Sequence, residues 1–82
     1  MRAIDFILGN KLKQADFRVI KFAYEKGKLV KAWQIEKEGI ANHYQILEIL
    51  PRLNAIGLFD YDGEGYTIKK HHPFIKLLFR ER

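Results

Sequence analysis

The fold is decided by residues 42–59, whose sequence is Asn42-His43-Tyr44-Gln45-Ile46-Leu47-Glu48-Ile49-Leu50-Pro51-Arg52-Leu53-Asn54-Ala55-Ile56-Gly57-Leu58-Phe59. At about 100° per residue, one face of a helix through this stretch collects four apolar side chains: Ile46, Ile49, Leu50 and Leu53. Asn42 is a typical N-cap, and Gly57 is typical of the residue that follows a last turn. The stretch therefore predicts an amphipathic helix from Asn42 to Ile56.

Pro51 conflicts with this helix. Inside a helix, proline removes one amide donor and clashes with the carbonyl four residues earlier, here Leu47, at a cost of about 3 kcal/mol. We therefore expect either a kink at residues 47–51 or a break after which Pro51 opens a new turn.

A second amphipathic helix is predicted over residues 14–26. Its apolar face holds three side chains at helical spacing: Phe17, Ile20 and Tyr24. Asp16 suits the positive end of the helix dipole, and Gly27 is expected to end the helix.

A shorter helix is predicted over residues 32–38, ended by Gly39. We expect its Trp33 to be half-buried, because a large ring is seldom left exposed in a small domain, and its Ile35 to face the core. The preceding Leu29-Val30 has room for only a very short strand.

Residues 58–69 read as a hairpin. The strand-like stretches 58–61 and 66–69 are joined by Asp62-Gly63-Glu64-Gly65. With Asp60, the hairpin carries three acidic residues near its tip.

Both ends of the chain are predicted to be short helices, over residues 2–8 and 73–81, the second opened by Pro73. They offer an apolar surface, of which one part must close the core and the rest is free for an interface: Ile4, Phe6, Ile7, Leu8, Phe74, Leu77 and Leu78.

Composition narrows the function. The 82 residues suit one domain spanning 1–82, and their formal charge of +5 favours an anionic partner. The chain has no Cys, no Ser and one Thr, which excludes disulfide scaffolds, thiolate or serine nucleophiles and a Walker A loop.

No apolar run approaches the length of a membrane span. We therefore expect a cytoplasmic protein without catalytic residues or a cofactor. Few amides and abundant Lys, Glu, Ile and Leu are typical of a thermophilic source.

The order of elements resembles the winged helix-turn-helix fold of small archaeal, viral and plasmid transcriptional regulators. Residues 45–59 carry the resemblance most specifically, because they match a recognition helix that runs through Arg52-Leu53 into a Gly-Leu-aromatic wing entry. It covers residues 14–69, with two departures: Pro51 and a turn one residue longer than usual around Gly39. It implies a mainly α, α+β fold with a three-helix core over 14–57, a two-stranded wing over 58–69 and extra terminal helices.

The resemblance also implies that the helix starting at Asn42 enters the major groove of double-stranded DNA, where its first two turns meet base edges. Gln45 can then bind adenine, Tyr44 a thymine methyl or a phosphate, and Glu48 the N4 of cytosine, while Arg52 suits a phosphate. The implied DNA-contacting set is Lys31, Gln34, Asn42, His43, Tyr44, Gln45, Glu48, Arg52, Lys69 and Lys70.

Simpler roles stay open for several of these residues. Asn42 can be a plain helix cap, and Tyr44, Gln45 and Arg52 a solvated face. His43 can be an ordinary surface histidine, and Lys69-Lys70 the end of a strand. His71-His72 does not predict a metal site, because adjacent histidines point apart and no third ligand lies near in sequence.

Two protein partners are considered besides DNA: a second copy of this chain and a different protein. One small domain makes few contacts with DNA, so we expect a homodimer whose two copies read two half-sites. The predicted dimer interface consists of the terminal apolar residues Ile4, Ile7, Leu8, Phe74, Leu77 and Leu78. The acidic hairpin argues against a phosphate contact. The alternative function is accordingly a protein–protein interaction module of a transcription or replication complex, docking through Asp60, Asp62 and Glu64.

Overall fold

The computed structural model describes residues 2–80 as five helices and one two-stranded antiparallel sheet. The elements are α1 (Ala3–Gly9), α2 (Gln14–Lys26), α3 (Ala32–Lys37), α4 (His43–Ala55), β1 (Phe59–Tyr61), β2 (Tyr66–Ile68) and α5 (Pro73–Leu78). The predicted order and the α+β class are confirmed. The closing helix, predicted over 73–81, ends at Leu78. Residue 81 of that prediction lies outside the described residues, as do residues 1 and 82.

The helix ends follow the predicted caps. The Asn42 side-chain oxygen accepts a hydrogen bond from the Gln45 amide at 2.9 Å, which satisfies one of the free donors at the start of α4. Gly27 ends α2 with a φ of +67°, a left-handed conformation that glycine adopts without steric cost.

The core forms around α4. Its buried face consists of Ile46, Ile49, Leu50 and Leu53, as the spacing predicts. Ile20 of α2, Ile35 of α3 and Phe59 of β1 belong to the same buried cluster and have almost no exposed surface. Trp33 does not join it: 59% of this residue is exposed, so the prediction of a half-buried ring is wrong. Ile35 already supplies the apolar contact that the short α3 makes with the core.

Pro51 does not break α4. The helix is continuous from His43 to Ala55, so of the two predicted alternatives the break is wrong. Pro51 lies on the exposed side of the helix, where water can take the place of the amide that the Leu47 carbonyl lacks.

The hairpin packs its inner face on the core and gains a third segment. Phe59 pairs with Ile68 and Tyr61 with Tyr66 across the two strands. Val30 adds an isolated bridge to Tyr66 through two backbone hydrogen bonds of 2.8 Å, which is what remains of the short strand predicted at Leu29-Val30.

The terminal helices contact each other, and the structure divides their apolar residues between core and surface. Phe74 is fully buried and stacks on Phe6 with ring centroids 4.3 Å apart. Phe74 is therefore a core residue and leaves the predicted dimer surface. Ile7, Leu77 and Leu78 are partly buried, whereas Ile4 and Leu8 are exposed. None of the described helices combines the length and apolarity that crossing a bilayer requires.

Candidate nucleic-acid interface

The first two turns of α4 present an open surface. Tyr44 is 81% exposed, and Asn42, His43, Gln45 and Glu48 are exposed around it. His43 Nδ1 lies 3.7 Å from a carboxylate oxygen of Glu36 on α3, and its ring meets that of Tyr44 edge-on. Tyr44 and Glu48 are therefore available to a ligand that approaches this end of the helix.

Gln45 is exposed but partly committed to the fold. Its side-chain oxygen accepts a hydrogen bond from the Asn42 amide at 3.0 Å, reciprocal to the bond that Asn42 accepts from the Gln45 amide. This is a capping box at the start of α4. A bidentate contact with adenine uses both the oxygen and the nitrogen of the amide, so it requires this box to open. With the box closed, only the Gln45 nitrogen can donate to a base.

Arg52 is paired inside the molecule. Its guanidinium contacts the carboxylate of Asp16 on α2, which is fully buried, and its Nε is itself buried with no hydrogen-bond partner in the described part of the chain. Asp16 accepts a second hydrogen bond, from the Lys13 amide, at 2.7 Å. The guanidinium therefore balances a buried charge, and a phosphate contact would compete with that role.

Sequence reasoning missed this pair, although a signal was present. Asp16 shares the buried face of α2 with Val19, Ile20 and Ala23, at spacings of three, four and seven residues. An acidic residue at such a position needs a partner, because a carboxylate is almost never buried unpaired.

The two residues predicted at the start of α3 also cap a helix. The Gln34 side-chain oxygen accepts a hydrogen bond from the Lys31 amide at 2.8 Å. The pKa of Asp62 is lowered, first by the hydrogen bonds that Asp62 accepts from the Glu64 and Gly65 amides and to a smaller degree by the charge of the exposed Lys31. Lys31 is thus a cation close to an acidic hairpin tip.

Lys69 and Lys70 lie at the base of the hairpin. Lys69 Nζ is 3.4 Å from an Asp60 carboxylate oxygen, and Lys70 Nζ lies over the Tyr24 ring. Both line a cleft with Gly57, just beyond the C-terminal end of α4. Since α4 has 13 residues and rises 1.5 Å per residue, this cleft is about 20 Å from the first turn. The structure therefore does not bring the two lysines together with Tyr44 and Gln45.

A shallow apolar groove separates α4 from the hairpin. It encloses about 230 Å³, and its rim includes Leu47 and Pro51 of α4, Tyr61 of β1 and Glu64 of the turn. Leu47 is 58% exposed and Tyr61 is 54% exposed. The sequence alone assigned no role to these two large, exposed side chains.

Charge is unevenly distributed. Residues 42–68, which form α4 and the hairpin, hold one arginine and four acidic residues. The other described residues hold thirteen lysines and arginines against five acidic residues. Residues 42–68 are therefore net negative, and three of the four cations predicted to contact DNA, namely Lys31, Lys69 and Lys70, lie outside this range. Within the described chain, no three His, Cys, Asp or Glu side chains are grouped so as to hold a metal ion.

No protein-family model, curated protein or solved structure matches this chain. Its function must accordingly be inferred from its own residues.

Proposed function

We propose that this protein is a winged-helix regulator that binds double-stranded DNA in a sequence-specific manner and represses transcription by occupying a promoter. The observation that carries the proposal is the open first half of α4, from Asn42 to Glu48, beside an antiparallel hairpin. A helix of about 10–12 Å diameter fits a major groove about 12 Å wide.

Within this proposal, Tyr44 and Glu48 are the principal base contacts. Tyr44 can pack on a thymine methyl, and the Glu48 carboxylate can accept from the N4 of cytosine. The Gln45 nitrogen adds a donor while its oxygen holds the capping box. Lys31 is exposed and remains a candidate for contact with the DNA backbone, whereas the guanidinium of Arg52 is paired with the carboxylate of Asp16.

Duplex selection tests the proposal directly. Bound duplexes are recovered from a random pool with the parent, with Tyr44→Ala and with the control Trp33→Ala, an exposed aromatic residue of α3. The parent and the control should enrich one common motif, and Tyr44→Ala should lose preference at one or two base pairs. A mismatched base pair typically costs about 1–3 kcal/mol. Recovery of unenriched sequence by the parent contradicts the proposal.

A homodimer belongs to the same proposal, since two copies can read two half-sites about 34–36 Å apart. The exposed Ile4 and Leu8 on α1, with the partly buried Leu77 on α5, are the apolar residues available for it.

A second candidate function is docking to another protein through the groove between α4 and the hairpin. The observation that favours it is the exposure of Leu47 and Tyr61 beside a cluster of acidic residues, which suits an apolar segment flanked by lysine or arginine. A variant in which Asp60 and Asp62 become Asn and Glu64 becomes Gln separates the two functions. A DNA-binding regulator should bind duplex as well as the parent or better, because repulsion from phosphates is removed. A docking module should lose its protein partner.

A further inference from the structure

Two clefts that share His71 are lined by basic residues. The larger, of about 720 Å³, includes Lys69, Lys70 and His71, and the smaller, of about 370 Å³, includes His71, Lys76 and Arg80. His71 lines both clefts, so the two clefts adjoin at this residue. We call these five residues the basic face.

The basic face carries a strong excess of positive charge. Residues 69–80 contain four lysines and arginines and no acidic residue. Asp60 is the one acidic residue among those that line the described clefts of this face, and Lys69 already neutralises it at 3.4 Å. Lys70 and Lys76 make no ion pair with any residue between positions 2 and 80.

The shape of the basic face fits an extended anion. A single phosphate would need its donors to converge on one point, whereas here the cations line two open clefts in succession. Lys70 is held in place by the Tyr24 ring, with 5.3 Å between its Nζ and the ring centroid. His72 also lines the larger cleft, and its Nδ1 accepts a hydrogen bond from the Phe74 amide at 3.0 Å. Neutral His72 therefore carries its proton on Nε2, where it is a donor.

We infer that the basic face binds the sugar–phosphate backbone of nucleic acid without reading its sequence, at a site separate from α4. The inference rests on the proposed function only for the choice of nucleic acid as the polyanion. It places the salt-dependent part of the affinity on residues 69–80, whose four lysines and arginines are accompanied by no acidic residue, since α4 and the hairpin together are negative.

The test measures the affinity of the whole chain for a random-sequence duplex over a range of salt concentrations. The double variant Lys70→Gln/Lys76→Gln should bind about tenfold more weakly at low salt. The slope of log K against log salt should fall by about 1.8, since each phosphate contact contributes roughly 0.9. The matched control Lys11→Gln/Lys21→Gln removes two exposed lysines from the turn before α2 and from α2 itself, and should change affinity less than twofold.

Three results would overturn the inference: an unchanged slope in Lys70→Gln/Lys76→Gln, an equal loss in the control variant, or equal binding of poly-glutamate, which indicates a general polyanion surface. Failure of the proposed function looks different. If Tyr44→Ala and the parent select the same unenriched duplexes while Lys70→Gln/Lys76→Gln still loses affinity, base reading by α4 is wrong and the basic face stands.

Discussion

The guanidinium of Arg52 contacts the carboxylate of Asp16, and this contact joins the last turn of α4 to the first turn of α2. The Asp16 side chain is fully buried, whereas that of Arg52 keeps 31% of its surface exposed. The ion pair therefore lies at the edge of the core, with its negative member inside. It fixes the position of the helix whose first turns form the proposed reading surface.

Replacing Arg52 by alanine should destabilise the fold. The Asp16 carboxylate would stay buried without its cation, and breaking a buried pair in this way costs about 3 kcal/mol. Urea unfolding of Arg52→Ala measures the loss. Arg18→Ala, which removes an exposed arginine of α2, should stay within about 0.5 kcal/mol of the parent. Unfolding of Arg52→Ala would itself lower the measured affinity for DNA. The DNA affinity of this variant must therefore be measured under conditions in which the variant is still folded.

The pairing itself is tested by a double variant, Asp16→Asn/Arg52→Gln. If the two side chains act on each other, its destabilisation should be smaller than the sum for the single variants by about 1 kcal/mol or more. Simple additivity would show that the two residues contribute independently.

Two variants of Gln45 separate helix capping from base reading. Gln45→Glu keeps an oxygen that can accept from the Asn42 amide, so stability should be close to that of the parent. Gln45→Ala loses that bond and should cost about 0.5–1 kcal/mol. Both variants lack the donor nitrogen, so both should lose the same base preference in duplex selection. Retained preference in Gln45→Glu would limit Gln45 to capping.

Local signals predicted the framework of this fold, but not its long-range contacts. The apolar spacing of Ile46, Ile49 and Leu53 and the cap at Asn42 act within one helix, so the sequence contains them directly. Asp16 and Arg52 are 36 residues apart, and only the packing of α2 on α4 brings them together.

Site predictions were limited for the same reason. An exposed polar residue beside a helix start can cap the helix or contact a ligand, and Gln34 and Gln45 have the same side chain for both roles. The sequence places Lys70 at the end of the hairpin, but does not place it beside the Tyr24 ring of α2. Whether these residues contact DNA stays a prediction.

Substitution of Gly65 should destabilise the fold, because other atoms pack closely around this residue. A methyl group there would lie 2.7 Å from the Val30 carbonyl oxygen and 2.9 Å from Leu29 Cγ. Gly65→Ala should therefore cost about 1–3 kcal/mol and disturb the bridge between Val30 and Tyr66. Gly9→Ala is the control, because open space surrounds that position, and it should be neutral or stabilising. Thermal unfolding of both variants checks the contrast, and equal midpoints would contradict it.

The proposed dimer should depend on Leu8. A glutamate there would place a charge on an apolar surface that two copies are expected to share, so Leu8→Glu should have the mass of one chain in solution. Leu47→Glu changes an equally apolar exposed residue on α4 and should keep the parent's mass. Light scattering at several concentrations measures both. A parent that is a single chain at concentrations that saturate DNA would contradict the dimer.

His72 should make the fold less stable in mild acid. Burial lowers the pKa of His72 below its usual 6.5, and the nearby charge of Lys69 lowers the pKa further. Above pH 6.5 the ring is mostly neutral in both the folded and the unfolded chain, so its full contribution is present. As the pH falls below 6.5, the unfolded chain takes up a proton at His72 before the folded chain does, so the free energy of unfolding decreases until the pH passes the lower folded pKa.

His72→Asn keeps a side-chain acceptor for the Phe74 amide and removes the titration. Urea unfolding between about pH 7 and pH 5 should therefore show a shallower loss of stability in His72→Asn than in the parent, whereas His71→Asn, at an exposed position, should match the parent. Parallel curves for all three proteins would show that protonation of His72 does not oppose folding.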